Sequence, residues 1–446
     1  MRLLFLLACK SNPPGVRSCV QDSSLTAAED LPLNRWLLFL LALLLPPLPA
    51  FAQQDAVTLS SRGAAAGLAI TEVARDLAFP MGMTPLPDGS LLVATSPSET
   101  GNFYASTGEL VRLFDSNGDG SLDDRSALIS DLPGSLVAVT RHGDIVIATS
   151  AKGGDEQIMF FRRGEHWRDP LTQIGAIRLI FRNAMHQSYG LATRSNPDDS
   201  GAFDLVFNIG AAGNDTAGPK VQVTGGISGT LNSASVYMVT VTPTSDGLEF
   251  GQPVQIASGL RNGTTLMFAP GTGDLWIGEN GIDGLVNPIE AFSADELDVV
   301  PADQIGTTVV DFGFPDSYVD MATGDIIGPD TAAVSFRPID GSEAEGIAGI
   351  VFVPASFPKE LAGGILAGFH GQFDMTGIEN EENPVRWANP ETGDQFDLVS
   401  NDSTGVGHID SMTATGDSIY LADFCTASMT SSETCGVIYR LDVGSD

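Results

Sequence analysis

The chain has 446 residues, of which 56 are Asp or Glu and 22 are Lys or Arg, so its formal net charge at pH 7 is −34. A negative field of this size repels nucleic acids and anionic membrane surfaces, and we therefore predict neither as a partner. With 43 % hydrophobic residues, the sequence can fold as a single large domain with a buried core.

The N-terminal segment is typical of a secretory signal. Arg35 supplies a positive charge, residues 36–48 form an apolar core, and small residues ending at Ala52 provide a cleavage site. The apolar run is shorter than the roughly 20 residues of a spanning helix. We expect a mature chain of residues 53–446 in the periplasm or outside the cell, and we interpret residues 1–34 as the product of a misassigned start.

Strand signals dominate the rest of the sequence. Short apolar runs end at Gly, Asp, Asn or Pro, and no segment keeps a helical period of 3.6 residues. One motif, a turn followed by four or five strand residues, occurs six times at intervals of 52 to 91 residues. Six such units predict an all-β protein, a six-bladed β-propeller with four-stranded antiparallel blades. The six motifs begin at Asp88, His142, Ala202, Thr272, Gly363 and Thr415.

The two ends of the chain and its longest intervals complete this prediction. We expect residues 70–73 to pair with the last blade, because a closed ring leaves no long unpaired sheet edge. The longest intervals place insertions at about residues 213–232 and 283–329. Loops of this kind commonly build binding faces.

Two similar stretches carry the candidate chemistry. His186 lies among small and polar residues just before an apolar strand, and Arg261 and Asn262 occupy the equivalent place in residues 259–281. A neutral imidazole can accept a proton from a hydroxyl group, and a guanidinium group can hold a carboxylate through two hydrogen bonds. The structural alternatives are a histidine hydrogen-bonded at a strand start and an arginine paired with one of many acidic groups.

Together these stretches resemble the soluble glucose/sorbosone dehydrogenases. The resemblance implies a six-bladed propeller that oxidises sugars with pyrroloquinoline quinone (PQQ) and calcium. It also implies that His186 is the general base and that Arg261 and Asn262 bind the cofactor. Residues 346–371 are similar to a blade of the sorbosone-type relatives, which would make His370 a channel residue opposite His186, in the cofactor-binding set.

The sequence departs from this family where the cofactor is held. No lysine stands near His370, and residues 407–410 replace the arginines of the glucose-oxidising members. Arg261 is then the one clear cation for a cofactor with three carboxylates. Calcium is therefore better supported than PQQ.

Two segments are predicted to bind calcium. In the resemblance, the carbonyl groups of Gly281 and Ile282 and the acidic residues Asp295 and Glu296 hold the ion, since hard cations prefer oxygen ligands. An acidic loop that forms turns is the alternative for the last two. Separately, an EF-hand-type loop without its final glutamate suggests a structural calcium turn, with an ordinary turn as the alternative. Its candidate ligands are Asp115, Asn117, Asp119 and Asp123.

Of the four cysteines, Cys9 and Cys19 belong to the leader, so Cys425 and Cys435 are the natural pair for a disulfide in an oxidising compartment.

The function indicated is oxidation of a sugar or a related alcohol or aldehyde. The alternatives are a propeller that has lost the quinone site and binds a carbohydrate or another partner, and a calcium-dependent hydrolase similar to a lactonase.

Overall fold

A computed structural model describes most of the chain after the leader. The leader, Cys425 and Cys435 lie outside the described residues, so the signal segment and the disulfide stay predictions. The described residues are 57–151, 155–181, 185–186, 190–286, 291–329, 332–339, 343–371, 384–400, 408–424, 434 and 436–444.

Strands make up nearly all of the regular structure in this part of the chain. The α-helix Ser61–Ala65 is one short turn whose N-terminus is capped by the Ser60 hydroxyl, which accepts a hydrogen bond from the amide of Gly63 at 3.1 Å. A 3₁₀ turn covers Phe103–Ala105. No helix among the described residues is long and apolar enough to cross a membrane.

Six sheets, here called blades 1 to 6, contain almost all of the strands. Blade 1 is Gly82–Pro85, Leu91–Thr95, Gly108–Phe114 and Asp124–Leu132. Blade 2 is Ser135–His142, Ile145–Ala151, Asp155–Arg162, Thr172–Ile180, Val221–Gly225 and Gly229–Leu231. Blade 3 is Leu191–Ser195, Phe203–Ile209, Ser235–Pro243, Val254–Ser258 and Val310–Asp311, with Leu248–Phe250 beside the third strand.

The other three blades follow the same hairpin order. Blade 4 is Gly263–Phe268, Leu275–Glu279, Asp295–Val300 and Val334–Phe336. Blade 5 is Ile347–Phe352, Ile365–Phe369, Val385–Ala388, Gln395–Ser400 and Thr58–Leu59. Blade 6 is Ile409–Ala414, Ser418–Asp423, Gly436–Val443 and Leu68–Leu77. A separate hairpin joins Tyr318–Val319 to Ile326–Ile327.

The blades form a closed ring. The first strand of each blade contacts the first strand of the next, and that of blade 6 contacts that of blade 1. The six-bladed propeller is therefore confirmed, and each recurring turn motif lies between the first and second strands of a blade. Pairing is antiparallel except between Val254–Ser258 and Val310–Asp311. Blades 1, 4 and 6 have the four strands expected, and the others carry additional edge strands.

The N-terminal part of the described chain closes the ring, as predicted. Leu68–Leu77 pairs with Gly436–Val443 and supplies the outer strand of blade 6. A second closure was not predicted: Thr58–Leu59 pairs with Gln395–Ser400 at the outer edge of blade 5. Two blades thus combine segments from opposite ends of the described chain.

The six larger core clusters each fill the space between two neighbouring blades. In the second strand of blade 2, Ile145 and Ile147 pack toward blade 3, whereas Val146 and Ala148 pack toward blade 1. Successive side chains of a strand point to opposite faces, so a strand buried on both faces is apolar throughout. Near the axis the strands come so close that a Cβ on Gly82 would lie 2.7 Å from the nitrogen of Val139.

This topology gathers residues from distant parts of the sequence at one end of the ring. In an antiparallel hairpin, the start of the first strand and the end of the second lie at the same end. Arg261, Asn262 and His408 immediately precede first strands, and His370 follows a second strand. His186 is five residues before the first strand of blade 3. We call this end of the propeller the mouth.

Candidate active site at the mouth of the propeller

His186 is buried at the mouth, with 9 % of its surface exposed. Its amide donates a hydrogen bond to the carbonyl of Ala211 at 3.1 Å, and the amide of Ala211 donates to the carbonyl of Arg261 at 2.7 Å. The ring atom Nδ1 is buried and has no hydrogen-bond partner among the described residues. Burial, and then the positive charge of Arg261, lower the pKa of His186 to about 3. The imidazole is therefore neutral at any physiological pH.

Arg261 is the cation of this site, and its side chain is 3 % exposed. Its Nε and Nη2 donate to the carbonyl and side-chain oxygens of Asn214 at 3.2 and 2.9 Å, and Nη2 also donates to Asp283 at 2.6 Å. Asn214 and Asp283 belong to the two predicted insertions, which thus fix the guanidinium group. No hydrogen bond of Nη1 is found among the described residues, so one edge of the fork is available to a ligand.

Asn262 adds a second unmatched polar atom. Asn262 is buried, and its backbone carbonyl accepts a hydrogen bond from the amide of Asn280 at 3.0 Å. The side-chain oxygen Oδ1 has no hydrogen-bond partner among the described residues. An orphaned buried oxygen is costly in the free protein and is compensated when a donor or a cation binds. His186, Arg261 and Asn262, which the sequence placed in two separate motifs, are thus joined by the structure.

A cavity of about 150 Å³ lies along the axis below the mouth. All six first strands contribute to its wall, which includes Gly190 on the His186 side and Asp410 on the opposite blade. The wall also carries threonine hydroxyl groups from five residues, Thr84, Thr140, Thr264, Thr265 and Thr413. It is therefore polar enough to hold water.

Blade 4 places buried carboxyl groups directly behind Arg261. Glu279 accepts a hydrogen bond from the amide of Arg261, and burial followed by the charges of Asp298 and Glu296 raises its pKa well above the usual value. Asp295 accepts from the amides of Gly281 and Ile347 at 2.8 and 2.6 Å, and burial raises its pKa to about 6. These groups make the surroundings of Arg261 strongly acidic.

Two of the predicted calcium ligands of blade 4, Ile282 and Asp295, have other partners in this structure. The carbonyl of Ile282 accepts from the amides of Phe292 and Ser293 at 2.7 and 3.1 Å, which uses both of its lone pairs. Asp295 joins blade 4 to blade 5 through its two backbone bonds. Among the described residues, no group of three or more His, Cys, Asp or Glu is arranged to hold a metal ion. Calcium binding at Gly281, Ile282, Asp295 and Glu296 stays a prediction.

The loop of residues 115–123 is held together by its own backbone. Asp115 accepts from the amides of Asn117, Gly118 and Gly120 at 3.2, 2.6 and 2.8 Å. Asn117 and Asp119 bond to each other, and Asp123 is exposed. These contacts are those of an Asp/Asn turn, so calcium in this loop also stays a prediction.

His370 lies at the mouth with two further residues, and its predicted role as a channel residue that binds the cofactor stays a prediction. Its Nδ1 is 2.7 Å from Oδ1 of Asp410, and Nδ1 of His408 is 2.5 Å from the His370 carbonyl. In the sequence, residues 407–410 are recognisable only as a departure from the family pattern. No local signal relates His408 or Asp410 to a histidine 38 and 40 positions away, so their contacts with His370 were not predicted.

Comparisons with known proteins identify the architecture. No family model and no curated protein matches the sequence. Among solved structures, the holo form of the pyranose dehydrogenase PQQ domain from Coprinopsis cinerea has a TM-score of 0.55 at 14 % identity, over 88 % of this chain and 99 % of that one. The chain has the fold of this dehydrogenase. A glucose dehydrogenase (TM-score 0.53, 14 % identity) covers 85 % and 99 % of the two chains.

A calcium structure of a Trichoderma reesei carbohydrate-active enzyme of family AA12 matches in the same way, with a TM-score of 0.52 at 14 % identity over 89 % of this chain and 100 % of that one. The chain is thus a divergent six-bladed propeller, structurally similar to sugar dehydrogenases. Identity this low establishes the fold alone, and the chemistry has to follow from the residues at the mouth.

Proposed function

We propose that this protein is a secreted or periplasmic oxidoreductase that oxidises a sugar or a related alcohol or aldehyde with PQQ and calcium. One observation carries the proposal: a buried, neutral imidazole with an unmatched Nδ1 lies next to a fixed arginine at the mouth of a sugar-dehydrogenase propeller. Perturbed and unmatched polar groups in one concave place are typical of an active site.

The residues at the mouth fit an anionic quinone when a divalent cation accompanies it. The Nη1 edge of the Arg261 guanidinium group would donate a hydrogen bond to a carboxylate or quinone oxygen. The unmatched Oδ1 of Asn262 would face a hydrogen-bond donor of the ligand or the cation. The acidic groups behind Arg261, among them Asp283 and Asp295, would repel an anion alone. A bound calcium ion would offset this charge, which is why both cofactors belong to the proposal.

The chemistry of the chain itself is orientation and proton handling. When bound, the quinone would supply the oxidant, taking up a hydride and its two electrons. The neutral His186 would accept a hydrogen bond from the reacting hydroxyl group, keep it in one orientation and take its proton, as the general base that the resemblance implies. Arg261 cannot lose its charge in this environment and stays a fixed point for the ligand.

The second candidate is a propeller that binds a carbohydrate without oxidising it. The observation in its favour is that Arg261 already has an acidic partner, Asp283, at 2.6 Å. In such a protein the ion pair would be permanent, and no anionic cofactor would displace it.

Dye reduction after reconstitution tests the choice between the two. The protein is loaded with PQQ and calcium together, with each alone, and with neither, and is then assayed against neutral aldoses, ketoses and polyols. The proposal expects reduction only with both cofactors and a loss of about 30-fold or more in cofactor affinity for Arg261→Gln, since a buried charged hydrogen bond is removed. The exposed Arg75→Gln, in the outermost strand of blade 6, is the matched control. Thermal stabilisation by a sugar with no reduction under any loading would favour the binding module.

A further inference from the structure

Asp410 is a buried carboxylate at the mouth end of blade 6, and only one of its two oxygens is bonded. Its side chain is 2 % exposed. Oδ1 accepts a hydrogen bond from Nδ1 of His370 at 2.7 Å, whereas Oδ2 is buried and has no hydrogen-bond partner among the described residues. An unmatched buried oxygen is costly, and the cost is larger for a charged group. Asp410 therefore lacks one partner in the described part of the chain.

A second buried aspartate shows what a complete set of partners looks like in this protein. The Asp204 side chain is 1 % exposed, and its Oδ2 pairs with the guanidinium group of Arg194 at 3.0 Å. Its Oδ1 accepts hydrogen bonds from Asn196 and Thr240 at 2.7 and 3.1 Å. Asp410 forms no ion pair with a lysine or an arginine among the described residues. It thus differs from Asp204 in both its charge balance and its hydrogen bonding.

The groups around Asp410 add little positive charge. Asp423 is fully buried at the end of the neighbouring strand, and Glu345 is buried beside the turn that carries His370. Burial and then the positive charge of His370 lower the pKa of His408 to about 4, so this ring is neutral at pH 7. Burial also opposes protonation of His370, but the charge and hydrogen bond of Asp410 outweigh it and raise its pKa. When His370 is neutral, the carboxylate has no counter-charge in this cluster.

Asp410 lines the axial cavity of about 150 Å³, whose wall also carries five threonine side chains. In four of the six first strands, the pairing with the second strand skips one residue near the mouth. These skipped residues all line the cavity, and they are Val137, Thr264, Ala348 and Asp410. A residue outside the ladder has a backbone carbonyl that can bind a ligand. The cavity thus offers neutral hydroxyl and carbonyl oxygens around one carboxylate.

These ligands and their charge favour a monovalent cation. Hard cations prefer oxygen ligands, and calcium usually takes several carboxylates. No group of three or more His, Cys, Asp or Glu in the described part of the chain is arranged to hold a metal ion. One carboxylate among neutral oxygens balances a single positive charge. The net charge of −34 attracts small cations to the protein, and the cavity has room for an ion with several water molecules.

We propose that the axial cavity binds one sodium or potassium ion at Asp410, with threonine hydroxyl groups, backbone carbonyls and water as its other ligands. The site is separate from the predicted calcium ligands of blade 4 and does not depend on the proposed function. The ion stabilises the folded protein, because the unfolded chain has no equivalent site. It also places a positive charge between the first strands of the ring.

The first test compares thermal melts of the mature protein in about 0.1 M sodium, potassium or tetramethylammonium chloride at pH 9, which keeps His370 neutral. The three salts screen surface charges equally, but tetramethylammonium is too large and too apolar for the site. We expect the wild type to melt about 2 °C or more higher in sodium or potassium chloride. Asp410→Asn should lose this difference, and the control Asp204→Asn should keep it.

Equal melting of the wild type in all three salts overturns the inference. A difference that persists in Asp410→Asn overturns it as well, because the cation then acts elsewhere on the acidic surface. Calcium that stabilises through Asp410 more than sodium or potassium does at equal ionic strength would contradict the argument from charge.

Crystals of the wild type soaked in rubidium chloride provide a test that needs no variant. Rubidium replaces potassium and is located by its anomalous scattering. We expect one peak inside the axial cavity next to the carboxylate of Asp410. A cavity that contains ordered water and no anomalous peak refutes the site, even if Asp410→Asn fails to fold.

Discussion

His186 should make the folded protein sensitive to acid, and the effect can be isolated with His186→Gln. In the unfolded chain a histidine binds a proton near pH 6.5, but in the folded protein the pKa of His186 is about 3. Between these values the unfolded chain holds more protons, so the free energy of unfolding falls as pH falls. Above pH 6.5 this loss is absent, and below about pH 3 it is complete.

The size of the effect follows from the two pKa values. Going from pH 7 to pH 5, His186 alone should lower the free energy of unfolding by about 2 kcal/mol. The side chain is only 9 % exposed, so screening by solvent reduces this effect little. His408 has a low pKa as well, and the raised pKa of Asp295 acts in the opposite direction. Both are present in wild type and variant, so their contributions cancel in the difference.

Urea unfolding of the two proteins at pH 7 and pH 5 measures this difference. The glutamine variant should gain about 2 kcal/mol on the wild type between the two pH values, whatever their relative stability at pH 7. The exposed His166→Gln serves as the control for loss of a surface ring. If wild type and His186→Gln lose the same stability on acidification, the imidazole is not held neutral, and the orienting role proposed for it fails.

Three further outcomes are expected. Phe207→Ala should lower the free energy of unfolding by about 3–5 kcal/mol in urea titrations, because it leaves a cavity in the buried core between blades 2 and 3. The control Val286→Ala, at a side chain that is 98 % exposed, should change this free energy little. Asp283→Asn should tighten binding of PQQ about fivefold by calorimetry, because it removes a negative charge whose half-exposed ion pair with Arg261 contributes about 1 kcal/mol. Unchanged affinity would contradict the repulsion between Asp283 and an anionic ligand. In thermal melts, added calcium should raise the melting temperature of the wild type and of the control variant Asp144→Asn more than that of Asp115→Ala, which loses a candidate ligand. An equal rise in all three proteins would argue against calcium binding in the loop of residues 115–123.

The architecture was predictable because it repeats. Each second strand follows a Gly- or Asp-rich turn and is apolar on both faces, so six copies of one pattern were visible without knowledge of the blades. The additional edge strands were not predictable, because Val221–Gly225 and Gly229–Leu231 add to blade 2 from an insertion of blade 3. A short polar hairpin carries no information about the sheet edge it will join.

The site was predictable only where one short motif contains the chemistry. His186, Arg261 and Asn262 lie in recognisable stretches, and the structure brings them to one place. The pairing of His370 with Asp410 depends on the neighbouring blades 5 and 6 meeting at the mouth, and no spacing rule in the sequence expresses that contact. The same holds for Asn214 and Asp283, which were expected as loops but not as the partners of Arg261.

Calorimetric titration of PQQ into the mature protein, with and without calcium, tests the central claim most directly. The account predicts binding at one site in the presence of calcium, weak or absent binding after chelation, and loss of binding in Arg261→Gln but not in Arg75→Gln. The absence of any binding heat with calcium present, in a protein that is folded by circular dichroism, would contradict the claim and leave a propeller whose mouth recognises a carbohydrate without oxidising it.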